Sequence, residues 1–217
     1  MLSANREDYI KKVFQMNEIK VKLTNKELAM ALFVSPASSS EMVKKLIQSD
    51  HLIKDKDYGF KLTEKGREEA SKLIRNHRLW EVFLVEKLGF SWSEVHEEAE
   101  LLEHVTSSVL GDRLNEFLSF PQYCPHGSVI YGNKGDVIDL VLMSDLKINE
   151  SGSIRRIEDN PDLLRYLEER GVRLNQSFVV SKIEPFEGPY QLEINGEEIL
   201  LSYKALSQIW VRKGSIK

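Results

Sequence analysis

The sequence predicts a mainly α-helical fold that ends in β structure: an N-terminal helix-turn-helix carrying a hairpin wing, a helical middle domain, and a small C-terminal β-barrel. Three observations predict it. Apolar residues recur at helical spacing behind good N-cap residues as far as Pro121, a short strand pair with a glycine turn interrupts them at His51–Thr63, and alternating strand-like pieces take over from about Asp145.

The first helix is predicted at Glu7–Met16, where Ile10, Val13 and Phe14 form one face. Thr24 opens a capping box, T-N-K-E, with Glu27 at the third helical position, and starts a short helix through Leu28, Ala29 and Leu32. Ser35-Pro36 starts another, Pro36–Gln48, because Ser is a favoured N-cap and Pro suits the first helical position. Met42, Val43, Leu46 and Ile47 supply its buried side, and Ser38, Ser39, Ser40, Lys44 and Lys45 its exposed side.

The stretch H-L-I-K-D-K-D-Y-G-F-K-L-T reads as two strands about a turn at Asp57-Tyr58-Gly59. Helix, short connection, helix and basic hairpin is the order of a winged helix-turn-helix. Such a helix enters the major groove, so Ser35, Pro36, Ser38, Ser39, Ser40 and Glu41 are candidates for base edges or phosphates, and Lys44, Lys45, Lys54, Lys56 and Lys61 for phosphates. A winged helix used for protein contacts is the alternative.

From Thr63 a helical pattern runs to Leu88, and its second half, with Leu79, Trp80, Val82, Phe83, Leu84 and Val85, is apolar over most of its circumference. One core face needs less, so burial against a second subunit is expected. Trp92–Leu114 is predicted as one amphipathic helix with Val95, Ala99, Leu102, Val105 and Val109 on its apolar side, and a further helical pattern after Gly111 ends at Pro121. On the polar side His96, Glu100, Glu103 and His104 stand three and four apart and can converge on one cation; a solvated acidic face is the alternative. His77 and Glu81 form another pair four apart, and the loop P-Q-Y-C-P-H-G-S sets Cys124 two residues before His126. Two such residues alone do not make a closed metal site.

The last third carries strand-like pieces at Gly152–Ile157, Ser177–Ile183, Tyr190–Ile194, Glu198–Ser202 and Gln208–Arg212, with Asn195-Gly196 a hairpin signal and one helix at Asp162–Glu169.

Composition sets the class. An apolar fraction of 41% with 29% charged residues is that of a globular protein. No apolar run is long enough to span a bilayer and the opening M-L-S-A-N-R-E-D is no signal peptide, so a cytoplasmic protein without membrane contact is expected. A single cysteine, Cys124, excludes an internal disulfide framework. Net charge is only −4, yet residues 1–80 hold 16 Lys and Arg against 11 Asp and Glu. That asymmetry points to an anionic partner for the N-terminal third.

The motifs E-D-Y-I, V-S-P, E-M-V-K-K-L, N-H-R-L-W-E-V-F-L, E-A-E-L-L-E-H-V and F-P-Q-Y-C-P-H-G, in this order, resemble the diphtheria toxin repressor/manganese-transport regulator family of metal-dependent transcriptional repressors, above all its manganese-responsive branch known from streptococci and their relatives. The resemblance covers essentially the whole chain. The barrel, with L-L-R-Y-L-E-E-R-G-V, resembles the SH3-like domain also found in ferrous-iron transport accessory (FeoA-like) proteins.

The resemblance implies a winged helix-turn-helix at residues 1–72, a helical dimerisation and metal-binding domain at 73–126, a linker at 127–144 and an SH3-like domain at 145–217. It implies a primary metal site of Asp8, Glu100, Glu103 and His104, and a second site of His77, Glu81, Cys124 and His126 with Asp159 a further ligand; His96 matches a ligand position of the iron-responsive branch. Members that bind two ions close together have a second carboxylate one turn after Asp8, where this chain has Lys11, so two separate sites are expected.

Three carboxylates and an imidazole are hard donors that suit Mn²⁺, with Fe²⁺ the alternative, whereas Cys124 makes the second site more tolerant of Zn²⁺. The function implied is a Mn²⁺-activated repressor of metal-uptake genes that binds double-stranded operator DNA as a homodimer, with no small organic substrate. A metalloenzyme is disfavoured because the chain has no H-E-x-x-H and no nucleophile with an orienting base. A metal-dependent protein-interaction module is the other alternative.

Overall fold

The helix-turn-helix forms as its caps dictate. The computed structural model describes residues 2–18, 22–134 and 139–214 and shows two compact units, Met1–His77 with Glu100–Gly111, and Arg78–Ala99 with Asp112–Lys217.

In the first unit α1 (Ala4–Glu18) runs further in both directions than the apolar face alone predicts. The helix α2 (Asn25–Ala31) carries both halves of the Thr24–Glu27 capping box, and α3 (Pro36–Gln48) begins on Ser35, whose hydroxyl accepts from the Ser38 amide. The wing follows as β1 (Leu52–Asp55) and β2 (Gly59–Leu62), antiparallel with Leu52 opposite Leu62. Gly59 is required at the turn: its φ is +74°, and a Cβ there would stand 2.1 Å from the Leu23 carbonyl oxygen, which pairs with the wing's edge. Tyr9, Ile10, Val13, Leu28, Leu46 and Leu52 are buried together as this unit's core.

The helix α4 (Glu64–Leu88) starts on Thr63, whose hydroxyl accepts from the Gly66 amide. Its residues to His77 belong to the first unit and those from Arg78 to the second. The single helix expected over Trp92–Leu114 is instead two, α5 (Val95–Glu103) and α6 (Ser108–Phe117). Hydroxyls cause the break. Thr106 Oγ1 donates to the Leu102 carbonyl at 2.6 Å, taking up a carbonyl at the end of α5, and Ser107 Oγ caps the Leu110 amide at 3.2 Å. The second helical pattern expected after Gly111 is therefore the continuation of α6.

The second unit carries six antiparallel strands in the order β3-β8-β4-β5-β6-β7: β3 (Val141–Leu142), β4 (Ser151–Ile157), β5 (Ser177–Ile183), β6 (Tyr190–Ile194), β7 (Glu197–Leu201) and β8 (Ile209–Lys213). Register shifts at Ile154/Arg156 and Val180/Lys182 bend the sheet. It wraps a core that includes Ile154, Ile157, Phe178, Leu192 and Val211, with Leu164 and Leu167 from α7 (Pro161–Glu168) and Leu206 from α8 (Tyr203–Leu206). This is the SH3-like architecture the sequence predicts. Two elements carried no signal of their own, the two-residue β3 and the one-turn α8, because each is too short to show a period.

Candidate metal centres

Both clusters are built around a histidine whose outer ring nitrogen is held by an oxygen. In the first unit His104, just past the end of α5, donates from Nδ1 to Glu7 Oε2 at 2.7 Å, which turns Nε2 inward. Nε2 then lies 3.0 Å from Asp8 Oδ1 and 3.7 Å from Glu103 Oε1. A carboxylate behind a histidine fixes its tautomer and aims the free lone pair, as in metal sites generally. Asp8 and Glu7 come from α1, Glu103 from α5, so the cluster joins those two helices. Burial, reinforced by Glu100 and Glu103 against His104 and Lys11, raises the Asp8 carboxyl above its usual range.

Lys11 stands one turn after Asp8 and is buried. Its ammonium donates to Glu100 Oε2 at 2.5 Å and to both Glu103 oxygens at 2.8 Å. Burial alone would lower its pKa, but Glu103 and Glu100 outweigh it and the group is raised. His77, on α4, has Nδ1 2.5 Å from Glu103 Oε2, and one ligand atom each from His77, Glu100 and Glu103 lies within 4.8 Å of the others.

In the second unit Glu81 (α4), Cys124 and His126 are all buried and offer ligand atoms within 4.8 Å of one another. His126 donates from Nε2 to the Trp92 carbonyl at 2.8 Å. Its Nδ1 is buried, 3.1 Å from Glu81 Oε1 and 3.7 Å from Asp159 Oδ1. Once deprotonated, that nitrogen, grouped with a thiol and two carboxylates, fits a divalent cation. His96 reaches the same Asp159 through Nδ1 at 2.9 Å. Against the cost of burial, Glu81 and then Cys124 push the His126 pKa up to about 12, while burial raises the Cys124 thiol.

The loop carrying these ligands is fastened by its backbone. The Ile157 amide of β4 donates to the His126 carbonyl at 2.9 Å, and Gly127, with φ +83°, approaches so closely that a Cβ would stand 1.9 Å from the Arg155 carbonyl oxygen.

On the DNA-binding candidates, Ser40, Lys44 and Lys54 line one groove of about 420 Å³, and Lys56 is exposed on the wing. Ser35 and Ser38 pair through their hydroxyls at 2.8 Å beside the exposed Pro36, and Lys45 pairs with Glu41 at 2.6 Å. Ser39 is a correction: it is fully buried and turns into the domain, so it cannot reach DNA. Ser39 lies on the same face of α3 as the buried Val43 and Leu46, four and seven residues on.

Glu7 and the seating of Lys11 were missed as parts of the site. The acid beside Asp8 in E-D-Y-I was the available signal for Glu7.

Residues 1–60 match the family model "Iron dependent repressor, N-terminal DNA binding domain", residues 63–132 "Iron dependent repressor, metal binding and dimerisation domain", and residues 141–213 the FeoA domain. A relative from Listeria monocytogenes, "HTH-type transcriptional regulator MntR", is 34% identical over 120 residues, which are 55% of this chain and 84% of that protein. A "Probable metal transport system membrane protein" of Chlamydia trachomatis is 44% identical over 75 residues, 35% of this chain and only 17% of that protein's length. Among solved structures, a "Manganese-dependent transcriptional repressor complex with manganese" superposes with a TM-score of 0.88 at 32% identity, over 96% of this chain and 99% of that one. The structure of ScaR with bound Zn²⁺ gives 0.85 at 39% identity, over 96% and 99%. No helix among the described residues is long and apolar enough to cross a membrane. The chain therefore belongs to the iron-dependent repressor family, and is a metal-dependent transcriptional repressor rather than an enzyme.

Proposed function

We propose that the protein is a cytoplasmic, Mn²⁺-responsive repressor that binds double-stranded operator DNA as a homodimer and controls metal-uptake genes. The observation that carries this reading is the donor set at His104: Asp8 from α1 and Glu103 from α5 meet its Nε2, and Glu100 lies beside Glu103 on the shared Lys11 ammonium. Bound there, a divalent ion supplies positive charge between carboxylates of two helices. Oxygen-rich donors suit Mn²⁺, while Cys124 with His126 and Glu81 forms a set that also suits Zn²⁺. Fe²⁺ is the alternative at the first set.

The chain's own packing supports a route from that site to DNA. α1 packs on α2 and β2, and α2 packs on α3, so a carboxylate fixed on α1 bears on the recognition helix within one compact unit. Leu101, Val105, Val109 and Leu110, from α5 to α6, are exposed, Val105 and Val109 by 72% and 71%. A second copy of the chain is the partner proposed to cover them.

The test is operator affinity, on DNA selected from a random pool, titrated with Mn²⁺, Fe²⁺ and Zn²⁺ at fixed salt for wild type and His104→Ala. Stimulation by Mn²⁺ in wild type and its loss in the variant are expected. Equal stimulation of both would remove the first cluster from the mechanism.

A further inference from the structure

The ammonium of Lys11 occupies the middle of a cluster that has every chemical feature of a cation site. It lies 2.5 Å from Glu100, 2.8 Å from both oxygens of Glu103 and 3.4 Å from His77 Nδ1. One ligand atom from each of these three residues lies within 4.8 Å of the others. A buried ammonium is tolerated only where acceptors surround it, and a buried carboxylate such as Glu103 only where a positive charge stands against it. Each supplies what the other requires.

We propose that Lys11 is a resident cation of the first metal centre: without metal it balances Glu100 and Glu103 and ties α1 to α5, and its fixed charge sets how tightly the centre takes a divalent ion. This rests on reading Asp8, Glu100, Glu103 and His104 as that centre. An ion held by Glu103 has to share its two oxygens with the ammonium or displace it. In the first case it meets the repulsion of a nearby unit charge, which water does little to screen in a buried site, and in the second it must break the ammonium's contacts with Glu100 and Glu103. The lysine thus performs in the metal-free chain part of the bridging that the ion completes, and it lowers the ion's affinity while doing so.

Neutralising Lys11 at nearly constant shape separates the two effects. Lys11→Met is expected to raise Mn²⁺ affinity at the step that His104→Ala abolishes by at least about tenfold. It is also expected to lower the melting temperature of the metal-free protein, with recovery when Mn²⁺ saturates. Lys11→Arg keeps the charge and is expected to stay within about threefold of wild type. Free Mn²⁺ is read by its electron paramagnetic resonance signal, and melting is followed with and without Mn²⁺, on the full chain.

A Lys11→Met chain that folds only when Mn²⁺ is added supports the proposal, since the ion then replaces the ammonium. One that stays unfolded at saturating Mn²⁺, or that binds Mn²⁺ no more tightly than wild type and Lys11→Arg, overturns it while leaving the metal centre standing. A wild-type chain with no His104-dependent Mn²⁺ step would retire the centre and this inference together.

Discussion

At His126 the arrangement around one ring sets the chemistry of the second cluster. The Trp92 carbonyl takes the Nε2 proton, and Glu81 keeps a second proton on Nδ1 in the metal-free chain, with the pKa pushed up to about 12. A raised pKa means that this contribution to stability is fully present below about pH 6.5 and is lost as pH rises toward 12. A metal ligand must give that proton up, and the Cys124 thiol, raised by burial, must give up another. Zn²⁺ uptake at this set should therefore release about two protons per ion, seen as a calorimetric enthalpy that changes with the ionisation heat of the buffer. His126→Gln should release one fewer; enthalpies independent of buffer would remove both groups from coordination. The ligand types were legible in the sequence because helical spacing and the C-x-H loop report which side chains share a face. Glu7 and the seating of Lys11 were not, since they depend on how α1 meets α5, and no local spacing carries that information.

Elements behaved as their caps and turns required, and failed where side chains competed with the backbone. The capping box at Thr24, Ser35-Pro36 and the wing's Gly59 were all readable as written. The split between α5 and α6 was not, because apolar spacing continues across it while the hydroxyls of Thr106 and Ser107 end one helix and begin the next. On α3 the same level of detail separates the lysines. Lys45 is paired with Glu41, whereas Lys44 shares an open groove with Lys54. Replacing Lys44 or Lys54 by Ala should weaken DNA binding on all sequences and lower the salt slope by about one unit each, while Lys45→Ala should lower it by less. Equal slopes in wild type and the Lys44 and Lys54 variants would take those two out of the phosphate contacts.

For the molecule as a whole, the uneven charge, 16 Lys and Arg against 11 Asp and Glu in residues 1–80 within a chain of net −4, marks the DNA-binding end through residue types alone. The assignment of compact units was less legible, because α4 and α5 each contribute to both, and a helical pattern does not mark where contacts change hands. On the proposed function, metal held between α1 and α5 and DNA held by α3 favour the same state of the first unit. Linkage then demands reciprocity. The direct measurement is a closed cycle at one salt concentration: operator affinity with and without saturating Mn²⁺, and Mn²⁺ affinity with and without operator. A single factor, on the order of fivefold to a hundredfold, is expected in both directions, collapsing to one in His104→Ala. An operator affinity that Mn²⁺ leaves unchanged, with His104-dependent Mn²⁺ binding intact, would contradict it.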